Sequence, residues 1–197
     1  MWGGWYKHPS IMSLLGEALS LYQDEANHAT QKVSELAVIL DQDASYGLSD
    51  EYYMQMNYHQ FIELGFVGAP YDIYHINDVE KIKDSYKALL YLTPSKGSFK
   101  GNILLSKRER IEKKSKFMAQ ELAEFLRQEN VHVYSEGNIV YANARFVCLT
   151  ATKKGKVNLM MPNECKLKSF TVGAIYEGKA FLFEMECNQT LLLEIIE

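Results

Sequence analysis

Apolar residues recur at three- and four-residue steps from Ile11 through Leu14, Leu15, Ala18, Tyr22, Ala26 and Ala29 to Val33. That period predicts one long amphipathic helix, with Ser10 as its N-cap and Pro9 outside it. The period then vanishes. Leu36-Ala37-Val38-Ile39-Leu40 is an unbroken apolar run ending at Asp41, the pattern of a parallel strand covered on both faces. Polar residues Gln42 to Gly47 lead to Ser49, the expected cap of a second helix whose first turn, Asp50 and Glu51, suits the helix dipole. Tyr53, Asn57, Phe61 and Leu64 are its expected inward positions, and Gly65 ends it. Ala69 to Ile76 and Tyr86 to Leu92 follow as strands, separated by a short helical turn capped at Asn77-Asp78. Strand, helix, strand, turn, strand is the opening of a doubly wound α/β layer.

A loop from Ser95 to Asn102 leads to Ser106-Lys107-Arg108-Glu109, a capping-box pattern. It predicts a third helix with Ile111, Met118, Leu122, Phe125 and Leu126 as its buried stripe. After Asn130 the period changes to two. Val131 to Tyr134, Ile139 to Tyr141, Arg145 to Ala151, Val157 to Met161, Phe170 to Tyr176, Ala180 to Met185 and Thr190 to Ile196 are strand candidates. Gly137-Asn138, Lys154-Gly155, Pro162-Asn163, Glu177-Gly178 and Asn188 separate them as turns. The expected fold is therefore α/β, a short parallel sheet with flanking helices, followed by an antiparallel β-sheet or sandwich of six or seven strands. Three regions are expected: an aromatic segment and long helix over 1–33, an α/β domain over 34–130, and a β-rich domain over 131–197.

Composition narrows the class. The chain has 197 residues, 47% apolar and 23% charged, with 21 Lys+Arg against 25 Asp+Glu and a net charge of −4. This is the composition of a packed globular protein, and its mild acidity argues against a nucleic-acid platform. The basic stretch from Lys107 to Lys116 is interspersed with carboxylates and is expected to be a solvated helix face. Apolar runs are far short of the ~20 residues a membrane span needs. The start of the chain lacks a signal core, and three cysteines (Cys148, Cys165 and Cys187) without a C-x-x-C pair suit reduced thiols. A cytoplasmic setting without membrane or nucleic-acid partners is the expectation.

Candidate chemistry is sparse. There is no Gly-rich phosphate loop, and the histidines (His8, His28, His59, His75 and His132) have no metal-ligand spacing. No cofactor or metal is expected. The cysteines all fall in the β-rich tail and no histidine follows His132, so a strand-to-helix thiol nucleophile is not expected. Open α/β sheets bind ligands beyond the carboxyl ends of their strands. Asp41, just past the first strand, is therefore expected to line a small crevice with Tyr46; the alternative is that Asp41 accepts loop or helix-cap hydrogen bonds. Trp2, Trp5 and Tyr6 are costly to leave in water and are either an aromatic clasp on the body, the edge of something larger, or stacking platforms for a carbohydrate.

Several segments, taken in order, carry a resemblance. They are Met1 to Tyr6, Leu36 to Asp41, Leu64-Gly65-Phe66-Val67-Gly68-Ala69-Pro70-Tyr71-Asp72-Ile73-Tyr74, Tyr86 to Leu90, and Val131 to Asn143. Met1 to Tyr6 resembles the stretch that closes the catalytic barrel in some β-galactosidase-like proteins of glycoside hydrolase family 42, and the other segments resemble that family's trimerisation domain and its join to a C-terminal β domain. The resemblance implies a flavodoxin- or amidotransferase-like α/β layer without a nucleophilic cysteine. It places the family's two catalytic glutamates on a barrel that this chain does not contain, so no residue here inherits a catalytic role. The implied function is a non-catalytic assembly or accessory module, a homo-oligomer or a packing partner for a glycoside hydrolase barrel. The alternatives are a small carbohydrate-binding module and a truncated remnant of a glycoside hydrolase.

Overall fold

The computed structural model describes residues 8–26, 31–41, 49–92 and 101–196. The chain forms two units, Met1–Lys32 and Val33–Glu197. In the first, α1 spans Pro9–Ala26. The His8 carbonyl accepts hydrogen bonds from the backbone N–H groups of Ile11 (3.0 Å) and Met12 (3.1 Å). Pro9 therefore lies inside the first turn, where its missing N–H is no loss. Ser10, expected as the N-cap, is hydrogen-bonded instead to Nδ1 of His8 at 2.6 Å. Val33 lies beyond the helix, which ends a residue past Glu25.

The second unit holds two five-stranded sheets, the first ordered β2-β1-β3-β4-β5. Its strands are β1 (Leu36–Leu40), β2 (Tyr71–His75), β3 (Ala88–Leu92), β4 (Asn102–Ser106) and β5 (Ile111–Lys114). β1 pairs in parallel with β2 and β3, while β4 and β5 are added antiparallel. The helices α2 (Asp50–Tyr53) and α3 (His59–Gly65) flank a π-helical turn at Met54–Tyr58, and α4 (Val79–Ile82) and α5 (Ala119–Gln128) follow. Alternation along β1 feeds two cores. Leu36 and Val38 pack with Leu64, Leu90, Leu122 and Leu126, whereas Ala37 and Ile39 pack with Val79, Tyr86 and Leu89. Burial on both faces is why this strand is a continuous apolar run. Asn57 and Leu64 are buried as expected, but Tyr53 is exposed.

The capping-box pattern at Ser106 turns a β-hairpin rather than starting a helix. Ser106 Oγ accepts from the backbone N–H groups of Arg108 (3.2 Å) and Arg110 (3.3 Å), and Glu109 adopts a left-handed φ of 61°. Pairing of Leu104 with Leu90 and of Leu105 with Leu89 outweighs the local helix signal. The basic stretch is thus a turn and an edge strand, and Ile111 is exposed. The helix begins at Ala119, where Glu121 accepts from the Met118 N–H at 3.0 Å. Leu122, Phe125 and Leu126 form its buried stripe, and Met118 stays exposed.

The second sheet is antiparallel, ordered β6-β7-β10-β8-β9: β6 (Ile139–Ala142), β7 (Phe146–Thr150), β8 (Gly155–Ser169), β9 (Ile175–Met185) and β10 (Thr190–Ile196). The α/β layer followed by a β-sheet is the fold class expected, with five strands in the second sheet instead of six or seven. Pro162-Asn163 and Glu177-Gly178 do not reverse the chain. Both lie in the single β8–β9 hairpin, whose register shifts between Met160 and Cys165 opposite Gly178. This bulge bends the hairpin, and Phe181 and Phe183 at its far end share a core with Val147, Leu159, Leu167 and Leu193. Phe170 to Gly173 form the turn between the two strands, and Val131 to Tyr134 is a connector outside the ladder.

That connector joins the sheets. Gly68 O accepts the N–H groups of Tyr134 (2.8 Å) and Ser135 (3.2 Å), Phe66 O accepts that of Gly137 (2.9 Å), and Met160 N–H donates to Tyr134 O (2.8 Å). The Leu64-to-Tyr74 and Val131-to-Asn143 segments, read separately along the chain, are bonded to one another. No helix among the described residues is long and apolar enough to cross a membrane.

Candidate functional site

The parallel order β2-β1-β3 places the carboxyl ends of all three strands together. Leu40, the last residue of β1, is flanked in register by His75 of β2 and Leu92 of β3. Asp41 follows directly and is 8% exposed. It is engaged with a partner rather than free. Tyr46, expected beside it, lies outside the described residues, as do Trp2, Trp5 and Tyr6. His75 is committed locally, its Nδ1 accepting from the Asn77 N–H at 3.3 Å.

Buried amides supply the polar groups that sequence patterning missed here. Gln60 of α3 and Asn102 at the start of β4 are both 0% exposed. Gln60 Nε2 donates to Phe117 O at 3.0 Å and its Oε1 accepts from the Phe117 N–H at 2.8 Å. The same Oε1 accepts from Asn102 Nδ2 at 3.0 Å. One side-chain amide thereby satisfies both backbone groups of Phe117 and fixes the segment leading into α5. Three residues on, Glu63 accepts from Lys116 Nζ (3.1 Å) and the Ala119 N–H (2.9 Å), a carboxylate at the α5 N-terminus. The only sequence signal was polar residues, Asn57 and Gln60, falling at helical spacing with Leu64.

A second polar group lies on the other face of the sheet. Tyr86 donates to Asp72 Oδ2 at 2.5 Å, and the Tyr74 and Tyr86 hydroxyls are 2.6 Å apart. With the Tyr86 proton directed to Asp72, Tyr74 is the donor to Tyr86. Burial, first, and then the Asp72 hydrogen bond hold the Tyr86 phenol far above its ordinary range. It is thus a protonated anchor across β1, unsuited to act as a base at neutral pH.

The joint between the sheets contains His132. Its backbone N–H donates to Glu35 Oε2 (2.8 Å), and its ring Nε2 donates to Met160 O (2.7 Å), since a carbonyl only accepts. Glu35 also pairs with Lys87, whose Nζ donates to Asn130 O at 2.6 Å. These residues line a cleft of about 460 Å³ with Arg127 and Pro162. Glu35 and Lys87 precede β1 and β3, so the cleft is at the amino ends of the strands, opposite the end where such sheets bind ligands. It reads as a packed joint.

A wider cleft of about 600 Å³ on the second sheet is lined by Arg145, Glu164, Cys165, Lys166 and Ile195. Arg145 donates to Glu194 Oε1 from Nε (3.2 Å) and Nη2 (2.9 Å). Burial pushes the thiols of Cys148 and Cys165 up, away from thiolate character. Cys187 Sγ donates to Thr152 O at 3.3 Å. Among the described residues no cysteine is bonded to an imidazole, and no group of three His, Cys, Asp or Glu side chains is placed to hold a metal.

No protein-family model and no curated protein matches the sequence. Among solved structures, the chain is similar to the crystal structure of β-galactosidase from Bacillus circulans sp. alkalophilus, at 8% identity and a TM-score of 0.49. The similarity covers 85% of this chain and spans 42% of the length of that one.

Proposed function

We propose that this protein is a non-catalytic assembly or accessory module related to the β-galactosidases of glycoside hydrolase family 42. It works through its surfaces, by self-association or by packing against a catalytic barrel. The observation that carries this reading is the seam at Gly68: the two segments most like the family's α/β domain and its join to the β domain are hydrogen-bonded to each other. A joint of that kind makes the α/β layer and the bent sheet one scaffold. The titratable groups described above support the same reading, because each is committed to the fold. Tyr86 and Asp72 brace one face, His132 and Glu35 brace the joint, and the half-buried thiols stay protonated.

The test is light scattering over a concentration series, alone and with a family 42 barrel, together with a panel of nitrophenyl glycosides. Association without turnover is the expected result. Turnover that copurifies with the protein, or a strict monomer that ignores the barrel, would overturn the reading.

A further inference from the structure

The wide cleft crosses one end of the second sheet, from Arg145, between β6 and β7, over Ile195 of β10 and Cys165 of β8 to Gly178 of β9. The bulge opens it. Between the Met160–Ala180 and Cys165–Gly178 pairs, residues 161–164 of β8 face the single residue Lys179 of β9. Bulges re-aim side chains and interrupt the ladder, and they recur beside functional sites. Gly178 has a φ of +142°, and a Cβ built on it meets nothing within 4 Å, so the wall opposite Cys165 is open. At about 600 Å³ the cleft has the size of a small-molecule site.

The rim differs from that of the joint cleft, where Glu35, Lys87 and Arg127 are all bonded. Here Arg145 is tied to Glu194. Among the described residues, however, the side chains of Glu164, Lys166 and Glu177 on this rim make no hydrogen bond or ion pair. Lys166 lies directly opposite Glu177 in the β8–β9 register, yet no ion pair closes between them. A hydroxyl group can accept from the ammonium and donate to the carboxylate, so it bridges such a pair, whereas a charged group satisfies one side and is repelled by the other. Glu164 offers a second acceptor for a hydroxyl. A dianion would meet Glu164 and Glu177, and a dication would meet Lys166 and Arg145, so the rim discriminates against both. Ile195 and Cys165 pack on the apolar core and give the floor a surface for C–H groups. We propose that this cleft binds a neutral polyhydroxylated ligand, a pyranose ring with its apolar face on Ile195 and a hydroxyl bridging Lys166 to Glu177. This goes beyond the assembly reading and does not depend on it.

The experiment uses the full chain, with the methyl glycosides of glucose, galactose and mannose, succinate and putrescine as probes. Cys165 on the floor supplies a readout free of substitution. Its labelling by a maleimide, resolved from that of the other thiols by peptide mass spectrometry, should slow as a methyl glycoside is added, while labelling of exposed Cys187 does not. Titration calorimetry should show the same glycoside binding. Lys166→Ala and Glu177→Ala should each weaken it by about tenfold or more, and Glu184→Ala, on β9 beyond the bulge, should leave it unchanged. Circular dichroism and urea unfolding check that each variant is folded. Protection of Cys165 by succinate or putrescine in place of the glycosides overturns the ligand class. No protection by any of the three glycosides, or binding that survives both cleft substitutions, overturns the site. Either failure leaves self-association to be decided by light scattering.

Discussion

Gly68 and Ser135 approach so closely that a Cβ built on Gly68 would sit 1.9 Å from the Ser135 carbonyl oxygen. The φ of Gly68 is +74°, a conformation that side chains also resist. Both constraints fall on the residue whose carbonyl accepts from Tyr134 and Ser135, so the join between the sheets needs glycine twice over.

Gly68→Ala should therefore be far more damaging than an ordinary left-handed substitution. A loss of about 3–5 kcal/mol is expected from strain plus the broken seam. Gly137 is the control: its φ is +77° but nothing lies within 4 Å of a built Cβ. Gly137→Ala should cost only about 1–2 kcal/mol. Urea midpoints for the two variants decide the matter, and equal losses would refute the close-contact account.

Gln60 and Asn102 should behave as one unit. Gln60→Leu strands the backbone groups of Phe117 and removes the acceptor of Asn102 Nδ2, a cost of about 3 kcal/mol. Adding Asn102→Leu removes the donor whose acceptor Gln60→Leu has already taken away. The double variant should lose less than the sum of the single losses. Strict additivity in a double-mutant cycle would show that the two amides do not share a network.

Tyr86→Phe should destabilise by about 1–2 kcal/mol, because it deprives Asp72 of a donor and Tyr74 of an acceptor in a buried setting. Tyr74→Phe removes only the terminal hydroxyl and should cost less. Thermal unfolding of the two variants tests the order, and the reverse order would contradict the donor directions deduced for the relay.

Alkaline pH should weaken the fold. Burial is the largest cause holding the phenols of Tyr71, Tyr86, Tyr91 and Tyr134 above their ordinary value of 10.0, and Tyr134 is pushed up to about 12. Below pH 10 both states keep these protons, and the phenols add no slope. Between pH 10 and about 12 the unfolded chain releases them first and binds fewer protons than the native state, so stability falls as pH rises. Tyr134→Phe should flatten that fall. Urea unfolding at closely spaced pH values would reveal it, and a slope unchanged by the substitution would exclude Tyr134 as a source.

Local pattern identified elements wherever one strand's own residues settle its burial. Leu36–Leu40 and Thr190–Ile196 are strands at their expected ends. Ser106 misled because an oxygen that accepts from nearby N–H groups serves a tight turn as readily as a helix cap, and only the β3–β4 pairing separates the two. Pro162-Asn163 and Glu177-Gly178 carry turn chemistry, yet they distort one hairpin at facing positions instead of reversing it. The strand-end position of Asp41 was legible from the run before it. The Gln60 network was not, since its partners are 42 and 57 residues away and no periodicity connects them.

The corner in β8 and β9 has a consequence for how little chain a β domain needs. One long hairpin contributes Leu159, Leu167, Phe181 and Phe183 to a single cluster with Val147 and Leu193, so two strands furnish much of its apolar lining.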